Sequence, residues 1–281
     1  MKHTRALATL SRSWRLLRSF RFEQSAPALF YRPLAEDTAQ LVDALCRDLG
    51  TPLAGARVLD VGGGPGYFAA SFEQRGARYV GVEPDAGEMA AAGISVANAV
   101  RASGLALPFR DGAFDVTYSS NVAEHVARPW DMAEEMWRVT RPGGLVIVSY
   151  TVWLGPFGGH ETGLWQHYVG GAFARDRYTR VHGHPPKNVF GESLFAVSAA
   201  EGLRWARAKA ASVSTAGAGY AGEPVVLHAF PRYHPAWAWW VVKVPVLQEF
   251  LTSNLVLVLR KPGMSGGRSA SGVHGALSPK W

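Results

Sequence analysis

Apolar and polar positions alternate in blocks along this chain, and the period of the blocks changes in a regular order. Arg57-Val58-Leu59-Asp60-Val61 is a short, mostly apolar run that ends in Gly62-Gly63-Gly64-Pro65-Gly66. A run of this length bounded by turn residues reads as a buried strand. Arg78-Tyr79-Val80-Gly81-Val82-Glu83 repeats the pattern, as do the stretch from Ile94 to Val100, the run through Phe114-Asp115-Val116, and Leu145-Val146-Ile147-Val148-Ser149. Helical spacing of apolar positions predicts helices over Leu34–Leu49, Asp131–Thr140 and Asn188–Arg204. In the second of these, Met132, Met136 and Trp137 face inward and Asp131 lies near the cap. Asp85 caps the helix that follows the second strand. Strand and helix alternate from about Arg57 to Tyr150, which implies an α/β sheet with parallel pairing and right-handed crossovers.

The ends depart from this pattern. Leu7, Leu10, Trp14 and Leu17 recur at helical spacing, with Arg5, Arg12 and Arg15 elsewhere around the wheel. That is a basic amphipathic helix, suited either to an anionic membrane surface or to packing on the body of the protein. Residues 153–187 are rich in glycine, aromatics, arginine and histidine, too long for an ordinary connection and too apolar for a disordered linker. They follow the fifth strand and are expected to form a substrate-binding cap. Asn254-Leu255-Val256-Leu257-Val258-Leu259-Arg260 reads as the last strand, and Gly, Ser and Ala dominate after Pro262. The expected organisation is a basic arm (1–30), an α/β domain (31–262) and a disordered tail (263–281).

With 281 residues, 48 % of them hydrophobic, the chain can bury one large core. Its single cysteine, Cys46, excludes an intrachain disulfide and offers no cysteine-based metal site. No apolar run is long enough to cross a membrane, and the N-terminus lacks the apolar core of a secretion signal, so cytoplasmic residence is expected. The formal charge is +7, yet nine of the 29 Lys and Arg residues lie in segments 1–21 and 261–281, which contain no acid. The body between them is nearly neutral, which argues against nucleic acid as substrate.

Candidate chemistry starts at the glycine run. Gly62, Gly64 and Gly66 let the backbone turn sharply beneath a ligand, and Pro65 suits a first helical turn. A dinucleotide fingerprint would need glycine at position 67, where Tyr67 stands, which counts against a nicotinamide-dependent oxidoreductase. The acid Asp60 gives D-x-G-x-G-x-G, which favours a cationic ligand over a pyrophosphate. Glu83, at the end of the second strand, stands where a carboxylate accepts hydrogen bonds from ribose hydroxyls.

Taken with Leu107-Pro108-Phe109, Asn121-Val122-Ala123-Glu124-His125 and Arg141-Pro142-Gly143-Gly144, this ordered set resembles the class I S-adenosylmethionine (SAM) methyltransferases over residues 55–152. The resemblance implies a doubly wound, seven-stranded, mostly parallel Rossmann-like sheet whose last strand is antiparallel. It also implies SAM as cofactor, held by Asp60, Gly62, Gly64, Gly66, Glu83 and Asn121. Where the family carries an acid that reads the adenine amino group, this chain has Ser103, leaving that contact to Ser103, backbone groups and Leu105. Lys187-Asn188-Val189-Phe190-Gly191 and Trp237-Ala238-Trp239-Trp240 are similar to a subgroup of uncharacterised actinobacterial methyltransferases.

Transfer to a hydroxyl requires loss of a proton, for which a neutral imidazole is suited. His125 and the pair His160 and Glu161 are the candidate catalytic residues, with His167 a further possibility. His182 and His184 lack an accompanying carboxylate cluster, so no metal is expected; His228 and His234 are placed on the far side of the acceptor pocket. The aromatic and arginine content of the cap suggests a sugar, a glycolipid or another small hydroxyl acceptor. The alternative is a non-catalytic SAM-binding regulatory subunit. The sequence carries no signal for oligomeric state.

Overall fold

The computed structural model describes residues 1–19, 26–94, 96–215 and 225–263. Its strands are β1 (Arg57–Val61), β2 (Arg78–Glu83), β3 (Ala99–Arg101), β4 (Phe114–Ser120), β5 (Thr140–Thr151), β6 (Val226–Pro231) and β7 (Asn254–Arg260). They form one sheet in the order β3-β2-β1-β4-β5-β7-β6. Pairing is parallel from β3 through β5, and β7 runs antiparallel to both β5 and β6. The expected doubly wound sheet with an antiparallel last strand is therefore present. Strand order reverses between β1 and β4, so a crevice opens at the carboxyl ends of these two strands, where such sheets bind ligands.

The helices are α1 (Lys2–Leu7), α2 (Leu10–Ser19), α3 (Pro27–Leu49), α4 (Ala69–Glu73), α5 (Ala86–Ala90), α6 (Pro129–Val139), α7 (Gln166–Val169), α8 (Gly171–His182), α9 (Ala199–Thr215) and α10 (Leu247–Phe250). The two-residue period of the strands divides the core. Val58, Leu145, Ile147, Val256 and Val258 pack with Leu41, Leu45 and Cys46 of α3. Leu59, Val146, Val148, Leu255 and Leu257 pack on the other face with Met132 and Met136 of α6 and Leu203 and Ala206 of α9. Both faces are covered, which is why these strands read as continuous apolar runs.

Several expected boundaries move. The helix expected from Leu34 begins at Pro27 and passes through Pro33, so the expected domain boundary at residue 30 falls inside α3. The helix expected over 188–204 begins at Ala199 instead, because Gly191 at φ +88° and the Phe190–Leu194 bridge hold the preceding residues in a tight turn. The third strand shrinks to Ala99–Arg101. Asp85 does cap α5, accepting from Glu88 N at 2.9 Å. Asp131 lies in the first turn of α6 and pairs with Arg128 at 3.1 Å, while Arg128 holds the cap position.

The N-terminal segment is two helices packed on the body. Asp48 accepts from His3 N, Thr4 N and Thr4 Oγ1 and so caps α1. Arg12 is buried and donates to both oxygens of Asp37 at 2.6 and 2.8 Å. Its stripe of Leu10, Trp14 and Leu17 points outward instead, with Trp14 62 % exposed. At the other end, Lys261 is not part of a loose tail: its Nζ donates to Trp137 O and Thr140 O, both at 2.9 Å. Arg21 and the rest of the expected tail (264–281) lie outside the described residues.

Candidate functional site

The loop after β1 turns through three glycines with φ of +84°, +51° and +86° at Gly62, Gly64 and Gly66. A Cβ on Gly62 would overlap Val122, and one on Gly66 would overlap Val96. The first contact presses the β1 loop against the β4 loop at the switch point. Space over Gly64 is open, with nothing within 4 Å of a Cβ built there. Glu83 closes the crevice from β2, accepting from Gly64 N at 3.2 Å and Asp85 N at 3.1 Å. Burial raises the Glu83 carboxyl above its ordinary value, against those two hydrogen bonds. The β3 loop joins this wall, since Ala102 N donates to Glu83 O at 3.3 Å and Gly104 abuts Val61. Ser103 is exposed there and accepts from Leu105 N at 3.2 Å, while Leu105 packs partly into the core. The crevice thus offers backbone N–H groups, a carboxylate and an apolar shelf around open space, a set that fits a ribose and an adenine ring.

Asp60 lies beneath this cradle rather than in it. It is 2 % exposed, and its Oδ2 accepts from Tyr79 Oη and Tyr118 Oη, both at 2.6 Å. Burial pushes its carboxyl up to about 7, against these hydrogen bonds. Through the two tyrosines Asp60 braces the start of the glycine loop from below. Tyr67, where a dinucleotide fingerprint needs glycine, stacks on Tyr31 at 5.4 Å between ring centres. Asn121 adopts φ +57° at the end of β4, a conformation asparagine tolerates. Its Oδ1 accepts from Asn254 Nδ2 at 2.7 Å, which ties the β4 loop to β7.

The loop after β4 holds the candidate catalytic residue His125. Ala123–His125 form a single 3-10 turn, and a second one over His160–Thr162 begins with His160 at φ +49°. The two turns bring the His125 and His160 rings to 5.2 Å between centres, edge to face. Each ring is held through Nδ1: His125 to Ser193 O at 2.7 Å, His160 to Gly158 O at 3.2 Å. A carbonyl only accepts, so each Nδ1 carries the hydrogen, and in the neutral ring Nε2 is the accepting nitrogen. Burial lowers the His160 pKa. Glu124 completes the group: it is 1 % exposed, and its Oε1 accepts from Thr151 N at 3.1 Å.

Sequence reasoning paired His160 with Glu161, but Glu161 is engaged elsewhere. Its carboxylate accepts from Asn188 N and Asn188 Nδ2 at 2.6 and 2.9 Å, pinning the two ends of the 153–187 segment together. His167 is buried and contacts Gly155 O through Nε2 at 3.1 Å, a brace within the same segment. His182 and His184 are exposed beside Tyr178. His228 lies away from the cluster, in a groove with Arg5, Trp237 and Trp240. Glu124 was overlooked as a site residue because its burial and its partners Thr151 and His160, 27 and 36 positions further on, are set by the fold.

A polar network also escaped the sequence reading. Arg232, 1 % exposed, donates to Ser120 Oγ at 2.7 Å and stands 3.6 Å from Asp37. Through Asp37 and Arg12 it joins α2 and α3 to the end of β4. Nothing local in the sequence distinguishes these arginines from surface ones; only their burial does.

Comparison with known proteins identifies relatives of this chain. Residues 59–148 match the family model of a methyltransferase domain. The chain is 60 % identical over 258 residues to an uncharacterized methyltransferase of Mycobacterium avium, covering 90 % of this chain and 96 % of that one. A Mycobacterium tuberculosis relative of the same description is 60 % identical over 257 residues, covering 90 % and 95 %. Among solved structures, a SAM-dependent methyltransferase of Mesorhizobium loti aligns over 79 % of this chain and 98 % of its own, with 18 % identity and a TM-score of 0.49. By its glycine-loop sheet and by relatives that match it along 90 % of its length, the chain belongs to the class I S-adenosylmethionine-dependent methyltransferases.

Proposed function

We infer that the protein transfers a methyl group to a hydroxyl oxygen of a sugar, glycolipid or similar small acceptor at an anionic membrane surface. When bound, SAM supplies a methyl group on a sulfonium. The glycine loop, Glu83 and the Ser103–Leu105 turn would hold it, with Asp60 stiffening the loop from below. Alignment of nucleophile, methyl and sulfur then accounts for much of the acceleration.

The observation that carries the choice of oxygen is the His125–His160 pair. Each ring is held through Nδ1, which leaves Nε2 to accept a proton, and His125 follows Val122, the residue packed against Gly62 of the glycine loop. A hydroxyl, unlike a neutral amine or a thiolate, needs its proton removed as the bond to carbon forms.

Support for a membrane acceptor comes from the outer surface. Ala236 N donates to Ala8 O at 2.8 Å, so exposed Leu10 and Trp237 flank a shared seam. Trp14 and Trp240 extend the apolar surface, and Arg5, Arg15 and Arg18 are exposed along it. Apolar patches rimmed by cations suit anionic headgroups, where tryptophan sits well. No helix among the described residues is long and apolar enough to cross a membrane.

Incubation of the protein with methyl-labelled SAM and separate lipid, glycan and nucleic-acid extracts tests the reading. Label should enter lipid- or glycan-extractable material as an alkali-stable methyl ether. Label found only in nucleic acid, or only as alkali-labile ester, would contradict it.

A further inference from the structure

Glu124, His125 and His160 each bring one ligand-type atom into a group whose members all lie within 4.8 Å of one another. Three independent features make this group more than a chance cluster. Both imidazoles are oriented by a backbone carbonyl at Nδ1, leaving Nε2 as the free nitrogen of each neutral ring. Metal-ligating histidines are held in this way, because the bond to the carbonyl selects the tautomer and the ring angle. Glu124 Oε2 is fully buried and has no hydrogen-bond partner, although Oε1 of the same carboxylate is satisfied by Thr151 N. A buried carboxylate oxygen without a donor is unfavourable and calls for a positive partner. His160, finally, is a non-glycine residue at φ +49°, a conformation that the surrounding turn must enforce.

We propose that Glu124, His125 and His160 bind a divalent transition-metal ion of the zinc class beside the methyl-transfer crevice. Two imidazoles and one carboxylate suit such an ion, and three protein ligands leave a position open. Bond lengths of about 2.0–2.2 Å require the three atoms to draw inward around the ion. The loop that carries Glu124 and His125 also carries Val122, which stands against Gly62 of the glycine loop, so the cluster lies on the loop that borders the crevice. An acceptor hydroxyl taken at the open position loses its proton to solvent more readily. Its oxygen then forms the bond to the methyl carbon as the carbon–sulfur bond breaks, giving a methyl ether, a neutral thioether and one released proton. The ion thereby replaces a bare imidazole as the deprotonating centre. The role at the acceptor rests on the methyltransferase reading; binding of the ion does not.

The test uses the full-length, chelator-treated protein and Co2+ as a visible probe, with Zn2+ as competitor. One equivalent of Co2+ should bind, develop a ligand-field absorption band and be displaced by Zn2+. Glu124→Gln and His160→Ala should each weaken Co2+ binding at least about tenfold, the scale on which ligand-sphere changes act, while still binding SAM in calorimetry. A variant lacking two exposed histidines outside the cluster, His182→Ala with His184→Ala, should bind Co2+ as the parent does. The proposal is overturned if the parent takes up no Co2+, or if uptake survives Glu124→Gln and is lost with the His182 and His184 changes. Absence of SAM binding by the parent would instead count against the methyltransferase reading, whatever the Co2+ result.

Discussion

Asp60 has two tyrosine hydroxyls on one oxygen and feels the like charge of Glu83. Burial sets its carboxyl at about 7 in the folded protein, whereas an unfolded aspartate titrates near about 4. Between these values the native state holds a proton that the unfolded chain has released. Stability contributed by this group therefore falls as pH rises from about 4 to about 7 and is level above. Asp60→Asn keeps an acceptor for Tyr79 and Tyr118 and removes the titration. Thermal melts of the ligand-free protein between about pH 5 and pH 8 should show a downward component in the parent that the variant lacks; superimposable profiles would refute the assignment. The sequence marks Asp60 as the acid of a glycine motif but not its position under the loop. That position follows from strand register, which sets Asp60 opposite Gly81 of β2 and Tyr118 of β4. The three glycines were legible as a turn, because their positive φ values are a local property of one loop, and Glu83 as the acid that ends β2. Glu124 and Arg232 were not, because burial and long-range partners define them.

At the scale of elements, strands with apolar runs, α5 with its Asp85 cap, and α6 were readable, since period and turn residues specify them. The segment from 188 to 198 was not, because its apolar residues mimic a helical face while Gly191 and the partners of Asn188 and Ser193 hold a turn. The same segment braces the 153–187 insertion, which we regard as the acceptor-selecting cap. Gly158 is its tightest point, where a Cβ would overlap the backbone carbonyl of Trp153. Backbone cannot give way as a side chain can, so Gly158→Ala must shift the turn that carries His160. Turnover on the acceptor should fall at least about tenfold, as small misplacements of reacting groups can cause, with SAM affinity unchanged in calorimetry. Full turnover in a folded Gly158→Ala protein would remove the cap from the account.

At the scale of the whole molecule, the basic excess of the chain resolves into different roles. Arg12 and Lys261 are internal struts, whereas Arg5, Arg15 and Arg18 remain exposed, Arg5 over Trp239 and Arg18 over Trp14. Deleting the N-terminal helices would leave Asp37 buried without Arg12, so surface substitutions are the cleaner probe. The parent should float with anionic vesicles at low salt and less at high salt, each cation near the surface contributing about 1 kcal/mol. Trp14→Ser combined with Arg15→Glu and Arg18→Glu should remain in the soluble fraction. Equal flotation of both proteins would assign the membrane contact to another face, and no flotation of either would end the membrane reading.

The central claim is that the crevice between the β1 glycine loop and Glu83 holds SAM. Calorimetric titration of the parent and of Glu83→Ala with SAM and with a nicotinamide dinucleotide tests it. The parent should bind one SAM and no dinucleotide. Loss of charge-assisted hydrogen bonds worth about 1.5–3 kcal/mol should weaken SAM binding about 10- to 150-fold in the variant. Undiminished affinity of Glu83→Ala for SAM, or a parent that prefers the dinucleotide, would contradict the account.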